Sequence, residues 1–386
     1  MATAYDTANI IIPKSAGYKS GSLYGWNPQT SGLVDFAVTR AGATATRVNE
    51  AGLIESVAAN VPRIDWAEGG ICPSLLVEPQ RTNLITQSND FTSYIRFGGL
   101  LTSNFAISPD GTTNATRFAG TGPGPRLGLS IPVVAGQSYT FSLYMKNNGG
   151  SNTNFAFSIH TQVTGSSFAI TSEWIRYTQT LVATNTETIE ARILQAGSTD
   201  IDVLIYGFQV EAGAYLTSYI PTSGTTETCN ADVIQKTGIA SLLGQSAGSF
   251  AIKAKLFDGA SSGAISISAN NNTDEIRILF SAAGGSADVF LVKDGAQQIP
   301  QIGFVGLNTP SNFDTIALSF ATNNFNASAN GATAVPRTYP SFNDGDLNTI
   351  KFSRGGGQNP FYGRISFLSS WNISFNATEV ENIASI

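Results

Sequence analysis

Stacking a sugar ring, holding a metal ion and moving protons each need particular side chains. This chain of 386 residues supplies them unevenly. Four tryptophans, Trp26, Trp66, Trp174 and Trp371, offer flat faces on which a sugar can stack, with neighbouring Asp, Asn, Gln or Arg reading hydroxyls. Trp174 sits in the alternating run Glu173-Trp-Ile-Arg-Tyr-Thr and is expected to face a sandwich core, with ligand contact as the alternative. Trp371 also reads as core. Trp66, after Pro62-Arg-Ile-Asp, is expected to pack a hairpin. Trp26, in the turn-rich Tyr24-Gly-Trp-Asn-Pro, touches either a ligand or another chain segment. Trp26, Trp66 and Trp174 are the candidate ligand contacts. Two loop runs carry oxygen ligands, Asn270-Asn-Asn-Thr-Asp-Glu and Asn343-Asp-Gly-Asp. Calcium takes six to eight oxygens from such loops, which makes Asn272, Asp274, Asp344 and Asp346 candidates for a structural Ca2+. Neither run has EF-hand spacing, and the plain alternative is a solvated turn with left-handed Asn and Asp. No other cofactor is expected.

Proton-transfer chemistry is scarcer. His160 is the one histidine, and Cys72 and Cys229 are the two cysteines. A zinc site would need all of them together, and a Ser-His-Asp or Cys-His mechanism would need His160 as its base. A lone strand histidine reads more simply as a satisfied surface residue. Asp200 and Asp202, two apart, would share one side of a strand, yet no third acid or aromatic cleft accompanies them. Glu187 and Glu190 fall in a polar, turn-like stretch. Gly355-Gly-Gly-Gln lacks the Lys of a phosphate loop and reads as a flexible turn. The cysteines either pair or stay free. Arg40, Arg47, Arg63 and Arg81 are placed to pair with Asp35, Glu55, Asp65 or Glu78, the alternative being a solvated surface.

The elements that must position these residues are strands. Charged residues are 12%, about half of the ~25% usual for globular proteins, while aromatics reach 10%. That composition excludes disorder and long helices. β-Branched and aromatic runs occur at 33–39, 139–146, 154–160, 174–182, 201–210, 264–268, 275–281, 287–292, 315–320, 349–352 and 361–369, separated by Gly, Asn, Asp, Ser and Pro clusters. The single good helix signal is Asn376-Ala-Thr-Glu-Val-Glu-Asn-Ile-Ala, with an Asn cap and apolar Val380, Ile383 and Ala384 on one face. The fold expected is all-β: two antiparallel sandwiches after an extended, hairpin-rich N-terminal segment. The segments are 1–84, a first sandwich at 85–222, a linker at 223–237 and a second sandwich at 238–386. Net charge −6 and pI ≈ 4.9 argue against nucleic acid. No apolar run reaches the ~18 residues of a spanning helix, so no membrane insertion is expected, and no signal peptide is visible.

Several of these stretches carry a resemblance. Asp35-Phe-Ala-Val-Thr-Arg-Ala-Gly-Ala-Thr-Ala-Thr-Arg-Val-Asn, Gly52-Leu-Ile-Glu, Pro62-Arg-Ile-Asp-Trp and Pro73-Ser-Leu-Leu-Val-Glu-Pro-Gln-Arg-Thr-Asn-Leu together resemble an N-terminal signature of tailed-phage virion proteins. Gln209-Val-Glu-Ala-Gly-Ala-Tyr-Leu-Thr-Ser-Tyr-Ile-Pro-Thr resembles the closing strand of the carbohydrate-binding-module-like jelly roll found in such proteins. Gly248-Ser-Phe-Ala-Ile, Ile316-Ala-Leu-Ser-Phe, Pro360-Phe-Tyr-Gly-Arg-Ile and the final Leu368-Ser-Ser-Trp-Asn stretch are similar to laminin-G/concanavalin A-like lectin domains. The resemblance implies a virion component on the outer surface of the particle, such as a head fibre, tail fibre or capsid decoration protein. Residues 1–84 would then anchor or oligomerise it. Its partners would be other virion proteins, further copies of itself as dimer or trimer, and host cell-surface glycans bound weakly and multivalently. The rivals are a structural spacer without ligand, a polysaccharide depolymerase and a secreted lectin. The scarcity of acid–base residues favours a non-enzyme.

Overall fold

The computed structural model describes residues 6–12, 18–19, 21–42, 44–67, 72–122, 124–151, 153–197, 200–282, 285–338, 342 and 346–386. Antiparallel strands dominate, and the one α-helix among the described residues is Ala377–Ala384. The chain forms two compact units. A central unit holds Gly42–Val57 and Gln80–Asn230; a terminal unit holds Met1–Ala41, Ala58–Pro79 and Ala231–Ile386. The fold is all-β with two sandwiches.

In the central unit one sheet runs Leu100–Ile107, Thr113–Gly120, Ile201–Ala212, Ser138–Asn147, Ile175–Val182. The other runs Ile95–Phe97, Arg126–Val133, Glu187–Gln195, Asn154–Ile159, Val163–Thr164, with Phe168–Ala169 also beside Asn154–Ile159. Period-two patterning fixes which side chains meet between them. Phe141, Leu143 and Met145 point inward, as do Val203, Ile205, Phe155 and Phe157, and all are buried. A bulge in the pairing of Ser138–Asn147 with Ile201–Ala212, at Gly207 with φ +69, re-aims Phe208 into this core. There it stacks on Phe157 at 6.2 Å and 10°.

The terminal unit pairs the beginning of the sequence with its end. Ile10–Ile12 lies antiparallel to Leu368–Ser370, and Ser74–Val77 lies along Gly363–Ile365 of the same strand. In the second sheet Phe36–Thr39 pairs with Val233–Lys236, which pairs with Thr349–Lys351. The compact units are therefore drawn differently from the consecutive segments 1–84, 85–222, 223–237 and 238–386. The early strands complete both sheets of the late sandwich, and the hairpin Ala45–Val48/Ile54–Val57 belongs to the central unit. The reason is edge satisfaction: a strand such as Gly363–Trp371 carries backbone groups on two sides, and local sequence does not name its partners.

Buried ion pairs lock this arrangement. Arg63 donates to both Glu78 and Asp232, and Arg40 Nη1 lies 2.8 Å from Asp232 Oδ1. Arg40 also donates to the carbonyls of Ala58 and Val61 at 2.6 and 2.9 Å. Arg364 reaches Asp65 at 2.6 Å. The expected pairing of arginines with local acids holds for Arg47–Glu55, at 2.6 Å, and for Arg63–Glu78. Asp232 and Arg364, distant in sequence, complete it. Arg81 instead lies over the Tyr215 ring at 4.9 Å.

The helix forms as its sequence dictates. Asn376 Oδ1 accepts from Glu379 N, Glu379 Oε2 accepts from Asn376 N, and Val380, Ile383 and Ala384 are buried. They pack with Trp371 and Phe375, so Trp371 is core, as its strand position implied.

Candidate functional site

Trp174 is not in the sandwich core. On the strand Ile175–Val182 the inward positions are Tyr177 and Leu181, which leaves Arg176 and Trp174 on the outer side of the sheet. The expectation of a core Trp174 is corrected by this parity. Its half-buried indole lines a cavity of about 450 Å3 with Leu53, Ile54, Ile107, Tyr144 and Lys146. Each wall has a local cause. Tyr144 and Lys146 alternate with buried Leu143 and Met145, so the same strand that fills the core presents a ring and an ammonium outward. The hairpin Ala45–Val57 supplies Leu53 and Ile54; Arg47–Glu55 crosses its two strands, and Ile54 N donates to Pro109 O at 2.9 Å. Trp174 Nε1 donates to Ile107 O at 3.2 Å, which fixes the plane of the indole.

Behind the cavity stands an aromatic stack. Tyr144, Tyr206 and Tyr219 follow one another with ring centroids 6.1 and 5.5 Å apart, and Ile54 packs on the last two. Tyr206 Oη donates to Asp110 Oδ2 at 2.9 Å, and Tyr219 Oη is 2.6 Å from Ser88 Oγ. Burial would raise the Asp110 carboxyl, but hydrogen bonds from Thr112, Asn114 and Ser108 outweigh it and hold the group below the usual range. Burial pushes both Tyr206 and Tyr219 well above the ordinary phenol value, with each other's charge adding to the effect at Tyr206. Because the folded values lie above the unfolded ~10, the stability these phenols carry is complete below about pH 10 and lost as pH rises past it. Thermal melts of the protein from pH 8 to 11 should show one transition falling steeply above about pH 10. A transition flat across that range would refute the assignment.

Aromatic faces, one ammonium and fixed backbone carbonyls can stack a sugar ring and bond its hydroxyls. Asp110, behind the tyrosines, is fully engaged by Ser108, Thr112, Asn114 and Tyr206. Asp202 is spent as well. Arg117 grips it in a two-point fork at 2.8 and 2.7 Å, and that bond, with one from Asn148, draws its carboxyl below the usual range. Asp200 accepts from Gly122 N at 3.2 Å. Glu187 and Glu190, expected in a turn, lie instead on the strand Glu187–Gln195, whose Ile189, Ala191 and Ile193 point into the core.

The other candidates are scattered. Trp26 and Trp66 belong to the terminal unit; both are half-buried, Trp26 in a short strand opposite Ile11 and Leu33, and Trp66 just after Arg63–Asp65. Asn272 accepts from Gly356 N at 2.8 Å and donates to Gln358 Oε1 at 2.6 Å. Asp274 accepts from Asp294 N at 3.0 Å and Thr273 Oγ1 at 2.8 Å. Asn270 has φ +66, the left-handed form of the solvated-turn alternative. Asp346 is half-buried, and Asp344 lies outside the described residues. Among the described residues no three of His, Cys, Asp and Glu gather as metal ligands. The Gly355 turn is not free, as expected of a flexible loop: its amide donates to buried Glu275, which also meets Arg277 and Arg354. Cys72 is exposed and Cys229 is buried, with its thiol 3.7 Å from Asn230 O, and no disulfide joins them.

The cavity residues that sequence reading passed over are Tyr144, Lys146 and Leu53. The parity of Tyr144 and Lys146 against Leu143 and Met145 is the signal that marks two of them.

No family model matches the chain, and no curated protein matches it in sequence. Among solved structures it is similar to the CBM40 of Ruminococcus gnavus IT-sialidase bound to alpha2,3 sialyllactose, with TM-score 0.32, 15% identity, and 39% of this chain and 91% of that one covered. It is similar to the CBM22-1-CBM22-2 tandem domain of Paenibacillus barcinonensis Xyn10C, with TM-score 0.27, 11% identity and coverage of 79% and 93%. It is also similar to domains LG4-5 of the mouse laminin alpha1 chain, with TM-score 0.25, 8% identity and coverage of 76% and 95%.

Proposed function

We propose that this protein is a non-enzymatic adhesion component on the outer surface of a tailed-phage particle, binding host-surface glycans weakly and in several copies. The observation that carries the binding half is the Trp174–Tyr144–Lys146 cavity. Its partly exposed rings are held in place by a sheet and a hairpin, so little order is lost when a sugar stacks. The non-enzymatic half is supported by the saturation of Asp110 and the Arg117 clamp on Asp202. The virion half is supported by the sequence signatures at 35–84 and 209–222.

Trp174→Ala should lower glycan binding by the intact protein about tenfold, a stacking contact of roughly 1–1.5 kcal/mol, and leave its melting curve within a few degrees. A glycan array followed by titration of the best ligand checks this. No binding to any glycan at millimolar concentration would leave the spacer reading in its place, and binding unchanged by the substitution would refute the Trp174 cavity as the glycan site. Reducing ends released from host polysaccharide, and lost in Asp202→Asn, would replace it with a hydrolase. Electron microscopy of the whole particle tests the virion assignment directly.

A further inference from the structure

A second cavity of about 450 Å3 lies in the central unit, on the strands of the other sheet. Its residues include Arg126, Ser158, His160, Gln162, Thr164 and Arg192. Cross-strand register explains the gathering: Arg126 stands opposite Leu194, Gly128 opposite Arg192, and Ser158 opposite Arg192 on the far side. Alternation puts Glu190, Arg192 and Leu194 on the face away from the core.

Four features mark this as a built site. Arg126 Cζ lies over the Phe97 ring, 4.1 Å from its centroid, and its guanidinium has no hydrogen-bond partner among the described residues. Arg192 donates to Glu190 Oε2 at 2.6 Å and meets His160 Nδ1, yet its Nε is buried without an acceptor, as Glu190 Oε1 is without a donor. Such orphaned atoms call for a ligand group or an ordered water. Gly128 leaves room for the same cluster, since a Cβ there would come within 2.3 Å of Glu190 Oε1 and push that side chain aside. The wall is rigid: Gln162 accepts from Thr184 N at 2.7 Å and donates to Glu187 at 2.8 Å. Beside it Thr161 holds φ +68, a conformation that a β-branched residue rarely adopts and that is often found at binding sites.

Glu190 ion-pairs with Arg192, while Arg126, the other guanidinium lining the cavity, has no carboxylate partner among the described residues, so its charge is open to an anion. A planar guanidinium edge matches a carboxylate in two parallel hydrogen bonds. A dianionic phosphate would leave excess negative charge beside Glu190. We propose that this cavity binds the carboxylate of an acidic saccharide, with Arg126 as the gripping residue and Arg192, held by Glu190 and His160, as the positioning residue. The inference does not rest on the Trp174 cavity, which takes its walls from the other sheet.

The test is calorimetric titration of the full-length protein with glucuronate and galacturonate, against glucose, acetate and glucose 6-phosphate. The expected result is that a uronate binds more tightly than all three comparators. Arg126→Gln should weaken uronate binding about tenfold or more, the scale of one charge-assisted pair, at an unchanged melting temperature. Trp174→Ala should leave uronate binding as it is. Uronate binding that survives Arg126→Gln would overturn the proposal. So would acetate or the sugar phosphate binding as tightly as the uronates, or no heat from either uronate at 50-fold excess over protein. If uronate binding is lost in Trp174→Ala instead, the ligand belongs to the first cavity and the second carries none.

Discussion

Residues 238–386 expressed alone should not yield a cooperatively folding sandwich. That fragment contains the late strands of the terminal unit but lacks Ile10–Ile12, Phe36–Thr39, Ser74–Val77 and Val233–Lys236, all of which pair with it or with each other in its sheets. The missing side chains Ile10, Ile12, Phe36, Val38, Leu75, Leu76 and Val77 are each at most 2% exposed. At roughly 1.5–3 kcal/mol for each such side chain, their loss is about 10–20 kcal/mol, as large as the whole 5–15 kcal/mol by which a domain is ordinarily stable. Two bare strand edges would invite aggregation besides. Calorimetry and hydrogen exchange on the fragment, next to the full chain, check this. A sharp melt with protected amides in Ala247–Leu256 would show that the early strands are dispensable.

Arg63→Ala should be the most damaging single substitution, costing about 3–5 kcal/mol. The side chain is fully buried and bridges Glu78 and Asp232, whose side chains are 4% and 1% exposed. Asp232 Oδ2 additionally accepts from Glu78 N at 2.9 Å, so backbone and side chains form one network. Without Arg63 the buried carboxylates of Glu78 and Asp232 lose the guanidinium they share, and Arg40 is already committed to Asp232, Ala58 and Val61. Desolvation makes an unpaired buried charge far costlier than a broken surface pair. Arg63→Lys keeps the charge but cannot reach both acids in a fork, and should fall between wild type and Arg63→Ala. Denaturant unfolding of the three proteins ranks them. Arg63→Ala within 1 kcal/mol of wild type would show the network to be energetically idle.

What the sequence made legible was local. Glu275–Ser281 has the bounds its alternation suggested, and the capped helix at 377–384 follows from Asn376, Glu379 and three apolar side chains. Edge strands were missed because they bury little: Leu100–Ile107 is mostly exposed and shows no apolar face to read. Glu187–Gln195 reads as a turn because polar Glu187, Thr188 and Glu190 at its start mask the inward Ile189, Ala191 and Ile193. The size of Trp174 suggests core, but it shares parity with Arg176 rather than with inward Tyr177 and Leu181. The partners of Arg63 show the limit of local reading: Glu78 is 15 residues away and was named, while Asp232 is 169 away and was not.

The pairing of Ile10 with Ser370 also sets a schedule. On a ribosome Ile10–Ile12 emerges long before the neighbour it needs, and must wait, unpaired and apolar, until Gly363–Trp371 has been made. The central unit, contiguous from Gln80 to Asn230 apart from its hairpin, meets no such delay. Synthesis therefore leaves one half assembled while the other is held open, and a slow or stalled translation of the last hundred residues would expose Ile10–Ile12 to aggregation before it touched Phe141 or Phe157.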